Sequence, residues 1–165
     1  MNVMRFYLKY DLRAPGFGPP PEELYQACVE QCVWGERHGF SGVRLHEHHA
    51  SDDGYLPSPI VMGSVIAGAT RTMALRFSVI VLPLHEPLRV AEDLAVIDIA
   101  SRGRIELVVG AGYVPYEFEM FGHQVADRVN RLEHAVQVLR LAWTGEEFEV
   151  DGHPAKVRPD RKSVV

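Results

Sequence analysis

Short apolar runs alternate along this chain with longer segments in which apolar residues recur at every third or fourth position. Compact apolar runs are typical of β-strands, and the longer spacing is typical of helices that bury one face. The pattern predicts four consecutive strand–helix units. The predicted strands are residues 2–10, 42–46, 74–82 and 105–109, and the predicted helices are residues 21–39, 59–70, 87–101 and 127–143.

Proline and glycine mark the ends of these predicted helices. Pro21 and Pro87 stand at first-turn positions, where a missing N–H group loses no hydrogen bond, and Gly103 stands just past a helix end. Residues 114–125 are predicted to be irregular, and the tail from residue 146 is predicted to hold one hairpin. In the last helix, the predicted apolar stripe consists of Val129, Leu132, Val136, Leu139 and Trp143.

Strands that alternate with helices imply an α/β fold with a parallel sheet. Residues 74–82 agree, because they are largely apolar on both faces, as in a parallel strand covered on both sides. An open doubly wound sheet and half of an eight-unit β/α barrel both fit this order. A complete barrel needs about 250 residues, and the chain has 165. We expect one domain over residues 1–165, with four units to about residue 145, then a partial hairpin and a tail.

Composition argues against several classes of function. Hydrophobic residues make up 47% of the chain and charged residues 24%, which is a soluble globular balance. The net charge of -5, without a basic run, argues against a nucleic-acid partner or an anionic membrane surface. No apolar stretch approaches the roughly 20 residues that span a bilayer, and no signal-peptide pattern is evident. A cytoplasmic protein is expected, with Cys28 and Cys32 as core side chains rather than a disulfide.

The clearest candidate for chemistry is the run His46, Glu47, His48 and His49, which directly follows the second predicted strand. Ligand and catalytic groups of parallel α/β proteins gather at the carboxyl ends of strands. Because a strand sends alternate side chains to opposite faces, His46 and His48 should point together, and Glu47 and His49 away from them. The ordinary pKa of histidine lies near neutrality, which favours a proton-transfer role.

A metal site is the alternative for the same run. Two histidines at i and i+2 on a strand can share a zinc ion, but a catalytic zinc needs a third protein ligand. His85 and His123 stand alone among ordinary loop residues, so the sequence offers no evident third ligand for His46 and His48. We therefore predict no metal site.

Further loops follow the predicted strands. Gly110 to Gly112 do not form a dinucleotide fingerprint, because Pro115 stands where the third glycine belongs. The two glycines fit either a plain turn or a close approach of the backbone to a flat ligand. The proline-containing stretches 52–59 and 82–87 are predicted to be structured loops that could border a site.

Several stretches, in one order, resemble a known family. They are ERHGFSGVRLHEHH, SVIVLPLHEP, AEDLAVIDIASRGRIELVVGAGYVPYEFEMFG and RVNRLEHAVQVLR, within roughly residues 2–150. The chain resembles the N-terminal half of the bacterial luciferase-like family of flavin-dependent monooxygenases and oxidoreductases. The resemblance implies a TIM-type β/α barrel of eight units, of which this chain holds the first four as a half barrel.

The resemblance also implies a cofactor and an activity. Reduced flavin mononucleotide (FMN), or a reduced deazaflavin coenzyme in one branch, would bind at the carboxyl ends of the strands. With oxygen, the reduced flavin would oxidise a small organic substrate, while the protein orients the cofactor and excludes water. A flavin reductase would supply the reduced cofactor.

The family's Glu-His-His motif falls on Glu47, His48 and His49. The resemblance makes His48 the expected catalytic residue, close to the flavin, and it makes Glu47 and His49 supporting candidates. The bond between Ser78 and Val79 matches a cis non-proline peptide under the flavin ring.

The resemblance further assigns Gly110, Ala111 and Gly112 to a loop near the flavin ring. Ala111 stands where some members place an arginine for the flavin phosphate. The family's main phosphate-binding residues belong to units five to eight, which are absent here.

Two other functions stay open. One is a non-catalytic half-barrel remnant that binds flavin weakly or only assembles with a partner. The other is a metal-dependent hydrolase that uses His46 and His48. Because a half barrel exposes the edges of its first and fourth strands, we expect a homo-oligomer or a separate C-terminal half-barrel partner.

Overall fold

The computed structural model describes residues 4–158. Residues 2 and 3 of the predicted first strand, and the tail residues 159–165, lie outside the described residues. The chain divides into two compact units, one containing the chain up to Ile80 with Arg104–Val108, and the other containing Val81–Gly103 with the chain from Val109 onward. A single domain over residues 1–165 stays a prediction.

The four predicted strand–helix units are present. The sheet strands are β1 (Tyr7–Tyr10), β2 (Gly42–Leu45), β3 (Ala74–Val81) and β4 (Ile105–Gly110), and the predicted hairpin consists of β5 (Phe148–Val150) and β6 (His153–Ala155). The helices are α1 (Pro21–Arg37), α2 (Pro59–Ala69), α3 (Pro87–Ser101), α4 (Pro115–Met120) and α5 (Arg128–Ala142). β1 is shorter than predicted, because the described residues 4–6 lie outside the ladder.

The order of strands in the sheet separates the two architectures that the sequence left open. The order is β1–β2–β3–β4, and both the β1–β2 and the β2–β3 pairs are parallel. A doubly wound sheet reverses its strand order at a switch point, whereas a β/α barrel adds each strand beside the previous one. The sequential order therefore favours the half barrel.

In the first unit, one face of the sheet packs against α1 and α2 at two glycines. Leu8 meets α1 at Gly35, where an added Cβ would lie 2.8 Å from the leucine Cδ1. Leu45 and Phe77 meet α2 at Gly63, where an added Cβ would again collide with the Phe77 ring. This face of the sheet is therefore the helix-covered face.

The first unit also contains both cysteines. Cys28 and Cys32 are buried free thiols on α1, as predicted. Among the described residues, the structure contains no helix with enough length and apolar character to cross a bilayer.

In the second unit, α3 packs against α5. A small core joins Val81, Leu84 and Phe118, with Val125 packed beside them. The indole N–H of Trp143 donates to the Ala91 carbonyl at 3.1 Å, which ties the end of α5 to α3.

One prediction for the second unit is wrong, and another is right only in part. Residues 115–120 were predicted to be irregular but form α4, since Pro115 suits the first position of a helix and Phe118 is buried. In α5 the predicted stripe is right in part: Leu139 is buried and Leu132, Val136 and Trp143 are half-buried, but Val129 is 48% exposed. The predicted stripe contained only large apolar side chains, whereas two alanines are among the buried residues of α5. These buried residues are Ala135, Val138, Leu139 and Ala142.

Candidate functional site

The His46-to-His49 run continues directly from β2. β2 ends at Leu45, yet the alternation of its side chains persists through the run. Glu47 and His49 are buried, like Leu45, whereas His46 and His48 are only half-buried. The predicted separation of the four side chains into two pairs is therefore present.

The side chains of Glu47 and His49 form a hydrogen bond with each other. Glu47 and His49 are 2% and 5% exposed as whole residues, and His49 Nε2 lies 2.8 Å from Glu47 Oε1. A buried carboxylate is stable only when hydrogen bonds replace its lost hydration. The geometry thus gives these two residues a structural role, while their predicted supporting role in catalysis stays a prediction.

His48 occupies a more open position beside the loop 50–58. Its ring meets the Tyr55 ring edge-on, with 4.8 Å between centroids and 89° between planes. Its backbone N–H donates to the Leu56 carbonyl at 3.3 Å. The loop predicted over residues 52–59 is ordered next to His48, and the Arg13 guanidinium lies 5.6 Å from the Tyr55 ring centroid.

His46 has an unusual environment. Its Nε2 atom is buried and has no hydrogen-bond partner among the described residues. Burial lowers the pKa of His46 below its ordinary 6.5, and the positive charges of Lys9 and Arg44 lower it further, whereas Asp11 opposes this shift. The environment therefore favours a neutral imidazole at His46.

The Ser78–Val79 peptide bond is cis in the structure, as the resemblance implied. Leu45 of β2 pairs with Phe77 of β3, so His46 and Ser78 follow at the same level of the sheet. Both Ser78 and Val79 are half-buried. Their assignment to the cofactor stays a prediction.

In the second unit, Gly110 is the last residue of β4, and Gly112 has a positive φ of 72°. An added Cβ at Gly112 would lie 2.6 Å from Val81 Cγ1 and 3.0 Å from the Phe118 ring. The turn therefore needs glycine for conformation and for space. The flavin-binding roles of Gly110, Ala111 and Gly112 stay predictions.

The loop predicted over residues 82–87 borders a cavity of about 280 Å³ in the second unit. Arg131 spans one wall, donating from Nε to the Pro83 carbonyl and from Nη2 to His123 Nε2, each at 2.8 Å. His85 and His134 also line this cavity, so His85 and His123 do not stand alone as the sequence suggested.

The metal alternative gains no support from His46 and His48. Among the described residues, neither belongs to a group of three His, Cys, Asp or Glu side chains close enough to share an ion. The sequence reasoning missed a different neighbour, Arg44, which lies on the same face of β2 as His46. The sequence did contain a signal for Arg44, because it is a charged residue within a strand whose other residues are apolar or glycine.

The family model described as luciferase-like monooxygenase matches residues 4–163. The chain belongs to the luciferase-like monooxygenase family. The family predicted from the residues is therefore confirmed, and its members include flavin-dependent monooxygenases.

Two relatives of this luciferase-like chain carry named activities. The 4-hydroxyprotoasukamycin monooxygenase of Streptomyces nodosus subsp. asukaensis is 30% identical over 143 residues, covering 82% of this chain and 38% of that protein. The oxygenase component of the flavin-dependent trigonelline monooxygenase of Acinetobacter baylyi is 26% identical over 151 residues, covering 90% of this chain and 42% of that protein.

A solved structure supports the fold. The oxygenating constituent of 3,6-diketocamphane monooxygenase from Pseudomonas putida, in complex with FMN, superposes with a TM-score of 0.83 at 18% identity. The match covers 94% of this chain and 45% of that one. The predicted α/β fold, with the first four units of a TIM-type barrel, is confirmed. The luciferase-like chain spans less than half the length of each of these three proteins.

Proposed function

We propose that the chain is the flavin-facing N-terminal part of a monooxygenase that uses reduced FMN and oxygen to oxidise a small organic substrate. His48 is the proposed catalytic residue, acting as a neutral imidazole that accepts a proton from the substrate or supports the reaction of the bound flavin with oxygen. Ser78, Val79 and the backbone of Gly110 to Gly112 are the proposed cofactor contacts.

The observation that carries this proposal is the division of the His46-to-His49 run. Glu47 and His49 are buried against each other at 2.8 Å, which fixes the backbone of the run. His48 remains half-buried on the opposite face, at the carboxyl end of a parallel strand. Parallel α/β proteins bind their ligands at such strand ends.

The residues around His48 fit a flat, polar cofactor such as a flavin. The edge-to-face pair of His48 and Tyr55 gives an aromatic wall, and the half-buried Ser78 adds a hydroxyl group on the next strand. When bound, reduced flavin would supply the electrons for oxygen chemistry. The protein side would orient the ring, exclude water and place the His48 imidazole for proton transfer.

The comparisons favour FMN over the deazaflavin alternative, because a structure of similar fold contains FMN. The relative from Acinetobacter baylyi is described as an oxygenase component. By analogy, we propose that a separate flavin reductase supplies the reduced cofactor.

The decisive experiment is an anaerobic titration of the full 165-residue chain with reduced FMN, followed by admission of oxygen. We expect saturable binding, and a rate of flavin reoxidation that differs from the rate of free reduced FMN. His48→Ala should return the reoxidation rate of the bound flavin toward the free rate. His153→Ala, which removes an exposed histidine on β6, is the matched control and should behave as wild type.

Absence of saturable flavin binding, with either oxidised or reduced FMN, would overturn the proposal. Equal reoxidation rates for wild type and His48→Ala would remove His48 from the catalytic role.

A non-catalytic half barrel is the second candidate, because the chain spans only 38–42% of the named relatives. Flavin binding without a change in reoxidation rate would favour it. The proposed homo-oligomer or half-barrel partner is tested by light scattering during size-exclusion chromatography, where a cooperatively unfolding monomer would contradict self-assembly.

A further inference from the structure

Three cationic residues lie side by side across the first three strands. Lys9 of β1 pairs in register with Arg44 of β2, and Arg44 pairs with Arg76 of β3. Residues in register share a face of the sheet, and this is the face opposite Leu45 and Phe77, which meet α2. The cations therefore lie on the sheet face that helices leave open.

One of the three cations is neutralised within the first unit. Arg76 Nε donates to Glu106 Oε2 at 2.6 Å, and the guanidinium lies 4.9 Å from the Tyr7 ring centroid. The Tyr7 hydroxyl donates to the same Glu106 carboxylate at 3.2 Å. Glu106 is thus committed to Arg76 and Tyr7.

Arg44 and His46 are left unsatisfied. Arg44 Nε and His46 Nε2 are both buried, and neither has a hydrogen-bond partner among the described residues. A buried polar atom without a partner is destabilising because it has lost its hydration without a replacement, so such atoms are rare in native proteins. Arg44 on β2 and His46 directly after β2 are two residues apart, and because the alternation of side chains continues past the strand end they lie on one face, about 7 Å apart along the chain.

The carboxylate of Asp11, whose charge acts on His46, does not fill this gap. Asp11 raises the pKa of His46, but the Arg13 guanidinium binds Asp11 Oδ2 at 3.1 and 3.2 Å. The other oxygen, Oδ1, accepts a hydrogen bond from the Arg13 backbone N–H at 3.3 Å. The exposed ammonium group of Lys9 adds a further positive charge at the open side of the pair. The arrangement is thus rich in donors and poor in acceptors.

We propose that Arg44, His46 and Lys9 form a binding site for an oxyanion, either the carboxylate or the phosphate group of a small molecule. Such a group offers several acceptor oxygens, and a guanidinium fork matches its geometry. Binding would satisfy both orphaned nitrogen atoms once the two side chains turn toward the ligand. The inference goes beyond the proposed function, because it stands whether or not the chain binds flavin.

The test is a titration of the ¹⁵N-labelled full chain with sodium acetate and, separately, with inorganic phosphate, followed by NMR. The Arg44 Nε–H signal, assigned by its loss in Arg44→Gln, should shift saturably, and the His46 imidazole signals should shift with it. Arg44→Gln should weaken binding by about tenfold or more, which corresponds to the loss of one charge-assisted hydrogen bond. Tighter binding of acetate would indicate a carboxylate ligand, and tighter binding of phosphate would indicate a phosphate ester.

Arg37→Gln is the matched control, because it removes the same charge from an exposed position at the end of α1. It should bind both anions like wild type.

Lys9→Gln changes an exposed side chain, so it keeps the test decisive if Arg44→Gln does not fold, and it should weaken binding severalfold. An Arg44 Nε–H signal that does not move, equal affinity in all variants, or an equal shift with sodium chloride would overturn the proposal. None of these measurements includes flavin, so their failure is separate from failure of the proposed function.

Discussion

His49 Nε2 lies 2.8 Å from Glu47 Oε1, and both side chains are buried beneath the half-exposed His48. The two residues flank His48 in the chain, so their bond restrains the backbone on either side of the proposed catalytic imidazole. The position of His48 therefore depends on a pair that faces away from it.

Removing one member of this pair should destabilise the fold. We expect Glu47→Ala to lower the free energy of unfolding by about 3 kcal/mol, because it removes the carboxylate that bonds to the buried His49 and leaves a cavity in its place. Glu47→Gln retains an acceptor oxygen and should cost about 1 kcal/mol. Urea unfolding measures both, with the exposed Glu119→Ala as a control that should stay within about 0.5 kcal/mol of wild type. Wild-type stability in Glu47→Ala would contradict the structural role.

Glu36 should make stability depend on pH in the acid range. Burial alone would raise the pKa of Glu36, but the N–H groups of Thr72, Met73 and Arg71 donate to its carboxylate at 2.6–3.0 Å and lower the pKa below its ordinary 4.5. A lowered pKa in the folded state means that this contribution is complete above pH 4.5 and is lost as the pH falls through the folded value.

The check is urea unfolding across that acid range in wild type and Glu36→Gln. The variant should lose part of the pH dependence and about 1 kcal/mol of stability at neutral pH. Identical pH profiles would show that these three hydrogen bonds do not hold the carboxylate ionised.

Gly112 should tolerate alanine less well than another glycine with the same backbone conformation. Gly112 and Gly122 have φ of 72° and 74°, but only at Gly112 does an added Cβ meet other atoms, at 2.6 Å from Val81. Gly122→Ala should cost about 1 kcal/mol from backbone strain, and Gly112→Ala should add about 1–3 kcal/mol from overpacking. Thermal unfolding of both variants separates the cost of backbone strain from the cost of overpacking. Equal losses of stability in the two variants would argue against the close contact between position 112 and Val81.

His123 should remain neutral below its ordinary pKa of 6.5. Burial and the nearby Arg131 charge lower the pKa of His123, although the Gly122 backbone opposes them. Since the unfolded state binds the proton first, stability should fall as the pH drops from 6.5 toward the folded value. An NMR titration of the imidazole should show a midpoint below 6.5, and Arg131→Gln should move the midpoint upward. An unchanged midpoint would show that the Arg131 charge does not affect the pKa of His123.

Local signals predicted most of the fold. Pro21 and Pro87 begin α1 and α3, and the run 74–82 is a strand of the parallel sheet, because these features depend on backbone chemistry within a few residues. Helix α4 was missed, because it is one short segment whose helical form accompanies the burial of Phe118. The buried Ala135 and Ala142 of α5 were missed, because the burial of an alanine depends on how closely the neighbouring helix approaches.

The candidate site was predictable as a run of residues but not as a network. Strand alternation correctly separated His46 and His48 from Glu47 and His49. Glu106 of β4 binds Arg76 of β3, while Arg44 Nε of β2 has no hydrogen-bond partner among the described residues, so the pattern involves three strands together. The donors that hold Glu36 come from residues 71–73, far away in the chain. Sequence spacing does not reveal which residues of distant segments become hydrogen-bond partners.

The sequential strand order also bears on how the chain reaches its native state. Each strand of the sheet lies beside the strand that was synthesised one β/α unit earlier. During synthesis, therefore, β2 and β3 find their partners already outside the ribosome, and no strand waits for a distant segment before pairing. Pairing between consecutive units costs less loop-closure entropy than pairing between more distant strands would. The sheet can thus grow in the direction of translation, with its last strand as the growing edge.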